Sequence, residues 1–273
     1  MPSREEPFSF VCGGQRLYGI LHRPQGEERR GVLVLHGWAG YRIGPGRLLV
    51  QLGRNLAERG FAVLRFDFRG RGESEGEAEA ATLSSMVADA QAALTAFREA
   101  LSLPRITPLG VCSGSEVAFG LLEREEVDSC IFWSVPLSTQ QVVVAQQVRR
   151  SARSLREYGR KLLRRETWEK LLRGEVHWRL VAKALWGKGR SGPAPPSPAP
   201  VDPFSTFRGP LLFLYGTADP DTTPALAHYR RLVERHRLPA QFHLVEGANH
   251  NFYSQEWHRE VMEVTGRWLE GLP

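Results

Sequence analysis

The sequence predicts an α/β fold: a mostly parallel sheet flanked by helices, with a helical cap inserted late in the chain. Three observations lead there. Short apolar runs alternate with helix-like amphipathic stretches over most of the 273 residues. The run from Gly31 to His36 is continuous, as a strand buried on both faces is. The alternation stops between residues 138 and 203 and then resumes, which marks an insertion into one sheet domain.

The chain opens on apolar runs at 8–12 and 17–22 around Gly13-Gly14-Gln15-Arg16, a hairpin turn. The strand at 31–36 leads into the glycine-containing loop His36-Gly37-Trp38-Ala39-Gly40. Leu48, Leu49, Leu52 and Leu56 share one face of a helix over 47–59, which Gly60 ends. A strand at 61–66 runs into Asp67-Phe68-Arg69-Gly70-Arg71-Gly72-Glu73-Ser74, a loop. A helix over 83–101, a strand at 105–109, a helix over 116–123 and a strand at 128–134 continue the pattern. Residues 138–186 read as helical, and the Pro/Gly/Ser-rich stretch 187–200 reads as an extended connector. Beyond 203 come a strand at 210–215, a helix over 225–236, a strand at 241–246 and a helix over 254–269. The predicted division is therefore a core of 1–137 with 204–273, and a basic cap of 138–203. No internal repeat is visible.

The junction Leu109-Gly110-Val111-Cys112-Ser113-Gly114-Ser115 carries the chemistry. A strand, a sharp turn and a helix, with glycine two residues before and after a central residue, form a nucleophile elbow. Side chains at those two positions would collide with backbone, which glycine avoids. The tip is Cys112; Ser113 has Val111 and Ser115 at the same spacing and does not fit. A thiol is the better nucleophile once an imidazole deprotonates it. The acid and then the histidine are expected downstream of the nucleophile. Asp219 and His250 each sit in a loop directly after a strand, where the carboxyl ends of parallel strands gather a site. The predicted triad is Cys112, Asp219 and His250, with Asp221 as the alternative acid. An oxyanion hole needs backbone N–H donors, expected from Ser113 and Trp38. His36 and Gly37 in the same loop, and Trp168, Trp178 and Trp186 in the cap, are expected to line the substrate.

The net charge of +6 is unevenly spread. Residues 141–190 hold fourteen Lys and Arg against four Glu, so this segment carries +10 and the rest of the chain −4. Such a segment attracts acidic substrates, carrier proteins or anionic surfaces, or else forms a solvated helix face. No nucleic-acid reader motif is present, so no nucleic-acid partner is expected. The 67–74 loop lacks a Walker lysine and dinucleotide-binding spacing, and Asp67 is expected to bond backbone amides in a structural turn. No cluster has metal-ligand spacing, so neither metal nor cofactor is expected. Cys12, Cys112 and Cys130 form no even-numbered disulfide framework. The N-terminal residues lack a signal peptide's apolar segment, and no apolar run is long enough to be transmembrane. A cytoplasmic location follows as the expectation; oligomeric state leaves no mark in the sequence.

The elbow, the 67–74 loop, Gly216-Thr217-Ala218-Asp219 and Asn249-His250 together resemble the α/β-hydrolase superfamily across nearly the whole chain. More narrowly, three features resemble the exosortase A system-associated hydrolases, which also carry cysteine at the elbow. They are Tyr41-Arg42-Ile43-Gly44, the cysteine elbow itself, and Arg164-Arg165-Glu166-Thr167-Trp168-Glu169-Lys170-Leu171-Leu172-Arg173-Gly174. His36-Gly37-Trp38-Ala39 and Ser113-Gly114 depart from that family's glycine-rich loop and its Asp-Ala. The cysteine elbow is also similar to that of dienelactone hydrolases, which lack so long a cap. The expectation is an α/β-hydrolase fold and an esterase or thioesterase acting on small-molecule or carrier-bound acyl substrates through an acyl-cysteine. Acyl transfer on the same triad, or a non-catalytic binding protein that keeps the fold, are the alternatives.

Overall fold

The computed structural model describes residues 4–26, 28, 30–122, 127–137, 202 and 204–273. The predicted cap and connector, with Trp168, Trp178 and Trp186, lie outside the described residues. Eight strands form one sheet. They are β1 (Arg4–Cys12), β2 (Gln15–Arg23), β3 (Gly31–Leu35), β4 (Ala62–Phe66), β5 (Ile106–Val111), β6 (Cys130–Trp133), β7 (Leu211–Gly216) and β8 (Ala240–Val245). Their spatial order is β1-β2-β4-β3-β5-β6-β7-β8. β1 and β2 form the expected hairpin and β2 meets β4 antiparallel, while every pairing from β4 to β8 is parallel.

β1 begins at Arg4, before the apolar run from which a strand was read. Its polar start is an edge strand, so charged side chains stay in water and ion pairs tie them down: Glu6 meets Arg4 at 3.0 Å and Arg23 at 3.3 Å. An edge also leaves one side of the backbone unpaired, which accommodates Pro7.

The period-two pattern of the central strands sorts side chains into two cores. Leu33, Leu35, Leu64, Phe66 and Phe213 pack on one face, and Val32, Val34, Val63, Leu109 and Leu214 on the other. Helices α1 (Leu48–Glu58) and α5 (Gln255–Glu270) cover the second face, through residues such as Leu52 and Val261. Helices α2 (Leu83–Leu101), α3 (Gly114–Leu122) and α4 (Thr222–His236) cover the first, through Phe97, Val117 and Tyr229. The α4 helix starts at Thr222, earlier than predicted, because Pro224 falls in the first turn, where a missing N–H breaks no helical bond.

The strand order also locates a crevice. β3 lies between β4 and β5. The chain leaves β3 toward one side and returns to its other side at β5, so the loops after these two strands diverge at their carboxyl ends. The loops after β7 and β8 open at the same end, since these strands are parallel to β5 and β6. No helix among the described residues is long and apolar enough to cross a membrane.

One buried polar contact ties the sheet to α5: Trp133 Nε1–H donates to Thr265 Oγ1 at 3.2 Å. Thr265→Val keeps the shape and removes the acceptor. It should lower stability by about 1–3 kcal/mol, read as a lower urea midpoint with an unchanged slope.

Candidate active site

The elbow follows β5 directly. Cys112 has φ +53°, in the left-handed region, at a cost on the order of 1–3 kcal/mol for a non-glycine residue. Backbone bonds hold it there: Cys112 N–H donates to Trp133 O at 2.8 Å, and Ser115 N–H to Cys112 O at 3.0 Å. Both flanking glycines are forced by close passage of backbone. A Cβ on Gly110 would lie 2.5 Å from Ser115 Cα, and one on Gly114 only 2.1 Å from the Leu35 carbonyl oxygen. The elbow runs straight into α3, so that helix begins at Gly114 and not at residue 116.

The loops after β7 and β8 are laced together. Ala218 N–H donates to Ala248 O at 2.9 Å, Thr217 N–H to Val245 O at 3.0 Å, and Gly247 N–H to Thr217 Oγ1 at 2.8 Å. Asp219, nearly buried at 7% exposure, accepts Asp221 N–H on Oδ1 at 3.1 Å and meets His250 Nδ1 through Oδ2 at 2.6 Å. The carboxylate beside the imidazole is therefore that of Asp219, while Asp221 meets it through a backbone amide. Ser134 Oγ–H donates to the His250 carbonyl at 2.9 Å, and buried Phe252 packs edge-on against Trp133.

Cys112 and His250 shift each other's pKa, and Asp219 Oδ2 holds the imidazole from Nδ1, so the three side chains gather in one place. The bond to Cys112 raises the His250 pKa, burial opposes it, and the bond and charge of Asp219 add to the rise, which reaches about 9. For Cys112 burial pushes the thiol up. The hydrogen bond and charge of His250, with the N–H and hydroxyl of Ser113, outweigh that and bring it below its ordinary value. Cys12 and Cys130 are both raised, chiefly by burial. Both shifts run in the direction of a thiolate–imidazolium pair.

The loop after β3 crosses over the elbow. A Cβ on Gly37 would lie 3.4 Å from both Cys112 Cβ and Ser113 Oγ. Trp38 N–H donates to Ser113 Oγ at 2.7 Å, so this expected oxyanion donor is engaged by a side chain. Arg71 Nε–H donates to Trp38 O at 2.9 Å and its guanidinium lies 5.7 Å from the indole centroid. His36 departs from the expectation of a substrate contact. Its ring is buried, Nδ1 bonds Gly37 O at 2.8 Å, and Nε2 accepts Phe68 N–H at 3.4 Å. Burial first of all lowers its pKa, so the neutral ring braces the loop from beneath.

Asp67 bonds backbone amides as expected, Arg42 N–H at 2.6 Å and Glu73 N–H at 3.4 Å, and it also pairs with the Arg42 guanidinium. Below it, buried Arg65 donates to Arg42 O at 3.0 Å and to His22 Nε2 at 2.7 Å. Burial, then the Arg65 charge, holds His22 down to about 4, so its ring is the neutral acceptor this bond needs. These buried groups fix the loop that carries Gly37 and Trp38. The sequence reading did not single out Ser134, Phe252, Arg71 or the Ser113 hydroxyl; for Ser134, its place just past β6, at the carboxyl end of the sheet, was the available signal. Among the described residues, no group of His, Cys, Asp or Glu could hold a metal ion.

An eight-stranded sheet in this order, helices on both faces and an elbow after β5 constitute an α/β-hydrolase fold. The chain belongs to the alpha/beta hydrolase family, whose model matches residues 32–264. No curated protein matches it. Among solved structures it is similar to an alpha-beta serine hydrolase homologue from Coxiella burnetii, at 18% identity, TM-score 0.63 and 97% coverage of each chain. It is also similar to a dienelactone hydrolase from Anabaena variabilis, at 16% identity and TM-score 0.65, over 99% of this chain and 98% of that one. Est1E from Butyrivibrio proteoclasticus, with ferulic acid bound, is a third, at 16% identity and TM-score 0.65, over 96% and 98%.

The electrostatics order the cysteines. At neutral pH iodoacetamide should label Cys112 ahead of Cys12 and Cys130, and His250→Ala should remove most of that lead. Peptide mapping of the alkylated protein reads both outcomes.

Proposed function

We propose that this chain hydrolyses carboxylic esters or thioesters through an acyl-cysteine, with Cys112 as nucleophile, His250 as base and acid, and Asp219 orienting the imidazole. The observation that carries this reading is the line from Cys112, at the tip of the elbow, through His250 to Asp219 Oδ2 at 2.6 Å from Nδ1. The Cys112 thiolate attacks the acyl carbonyl carbon, and its oxygen takes the developing negative charge beside the amide of Ser113. Collapse breaks the bond to the leaving alkoxide or thiolate, which takes the proton from His250 Nε2. Water, losing a proton to His250, then attacks the acyl carbon and expels the thiolate; a carboxylic acid departs. Asp219 keeps the imidazole in the tautomer that faces sulfur and favours its charged form. The similar structures described as a serine hydrolase homologue and a dienelactone hydrolase support an acyl substrate; this chain carries sulfur at its elbow. The resemblance to exosortase A system-associated hydrolases agrees with that cysteine, and free thiols at Cys12, Cys112 and Cys130 agree with a cytoplasmic setting.

The test is turnover of p-nitrophenyl esters and acyl thioesters. Cys112→Ala and His250→Ala should each lose about 10³-fold or more in kcat with the fold intact, and Asp219→Asn should lose more than Asp221→Asn. Full activity in Cys112→Ala would overturn the reading. The pKa shifts set the pH profile. kcat/KM should climb as Cys112 ionises, below the ordinary thiol value of 9, and fall near pH 9 as His250 loses the proton its leaving group needs.

We extend the proposal to residues 138–203, whose sequence reads as a basic cap that favours acidic or carrier-bound acyl substrates, with Trp168, Trp178 and Trp186 as its substrate-binding side chains. The +10 of residues 141–190 supports it. Salt screens such attraction over about 8–10 Å. kcat/KM for an acyl-CoA should therefore fall steeply with ionic strength, while a neutral ester of equal chain length stays level. A flat response for both would leave the charges as a solvated face.

A further inference from the structure

The Trp38 amide is not waiting empty for an oxyanion. It donates to Ser113 Oγ at 2.7 Å. Ser113 is also the residue after Cys112, and Gly37 presses on both: its Cβ position is 3.4 Å from Ser113 Oγ and from Cys112 Cβ. The hydroxyl therefore stands where the β3 loop meets the elbow, beside the Cys112 side chain. A hydroxyl offers one proton and two lone pairs. Accepting from Trp38 on a lone pair leaves its proton free to point at the neighbouring Cys112, whose pKa the Ser113 side chain lowers.

We propose that the Ser113 hydroxyl is a positioning group that bridges the Trp38 amide and the Cys112 sulfur in the resting protein, and that the carbonyl oxygen of an incoming acyl substrate takes the Trp38 amide from it. The displacement step rests on Cys112 being the nucleophile. In the resting state the bridge gives the thiolate a donor beside those from His250 and the Ser113 amide. When sulfur bonds to the acyl carbon, its negative charge moves to the carbonyl oxygen, and the hydroxyl loses the anion it was holding. A change of χ1 at Ser113 then frees the Trp38 N–H for the oxyanion, and the Ser113 N–H supplies the second donor. No proton or electron pair leaves the serine; only its hydrogen-bond partners change. A donor that must be vacated also selects substrates: the acyl group has to present its oxygen deep enough, under Gly37, to compete with a covalently tethered hydroxyl.

The test is the pH dependence of Cys112 alkylation in the wild type, Ser113→Ala and Ser113→Thr, followed by mass spectrometry, with thermal melts to confirm folding. Ser113→Ala should move the alkylation profile to higher pH, so that at pH 6 Cys112 reacts about 2- to 10-fold more slowly, the worth of one hydrogen bond. The acid limb of kcat/KM should move with it. Ser113→Thr, which keeps the hydroxyl, should restore both curves. A structural role alone would alter the melt without moving the titration. A Ser113→Ala profile that overlays the wild type in a folded protein would overturn the bridge, as would a folded Ser113→Thr that behaves like alanine. Full ester turnover in Cys112→Ala would instead sink the nucleophile reading and the displacement with it, while the alkylation curves still judge the bridge itself.

Discussion

The structure turns on how closely backbone passes backbone at the elbow. Gly114 sits so near the Leu35 carbonyl that a methyl group there would lie 2.1 Å from its oxygen, and one on Gly110 would lie 2.5 Å from Ser115 Cα. That contact brings the end of β5 against the end of β3. It pushes Cys112 into a left-handed conformation and sets the β3 loop over the sulfur. The two loops meet because β3 and β5 are paired neighbours from Gly31 with Ile106 to Leu35 with Gly110. Strain of this kind persists only where surrounding structure over-determines it, and here a ladder of parallel strands and a buried helix start do so.

Around that point the groups divide into two kinds. One kind gathers around Cys112: His250 with its raised pKa, Asp219 behind it, and Ser113, the next residue along the chain. The other kind never faces the cleft but decides where its walls stand. His36 braces the β3 loop from beneath, Asp67 gathers the Arg42 amide and guanidinium, and Arg65 reaches from β4 to the Arg42 carbonyl. Buried charge is expensive unless each donor and acceptor is matched, and these groups are matched among themselves. Lacing of the acid and histidine loops, with Gly216 pressed against the Ala248 carbonyl, does the same on the other side.

Much of this was legible in the chain. The strand at 31–36 announces itself by a continuous apolar run because both of its faces are covered, and the helix over 47–59 by leucines at helical spacing. The elbow is readable because glycine at two fixed offsets is a steric requirement, and sterics act through adjacent residues. Edge strand β1 was read short, since Arg4-Glu5-Glu6 faces water and follows no apolar rule. α4 starts three residues before the helix expected from 225, since Pro224 falls in the first turn, where a helix tolerates it. The inward turn of His36 leaves no mark in the sequence, because a loop histidine looks the same whether it points out or in.

By itself, then, the sequence determined the alternation of elements, the two faces of each central strand, the residue at the tip of the elbow and the loops that end beside it. These are local properties: period, steric limits and chain order suffice to state them. The tertiary structure alone decided which of two nearby aspartates stands beside His250, that His36 turns inward, and that the Trp38 amide is held by a serine seventy-five positions along the chain. The first and last of these are hydrogen bonds under 3 Å between segments brought together by sheet register, and His36 meets the Phe68 amide of the loop after β4 at 3.4 Å; such directional bonds are set by where the strands end, which residue spacing cannot express.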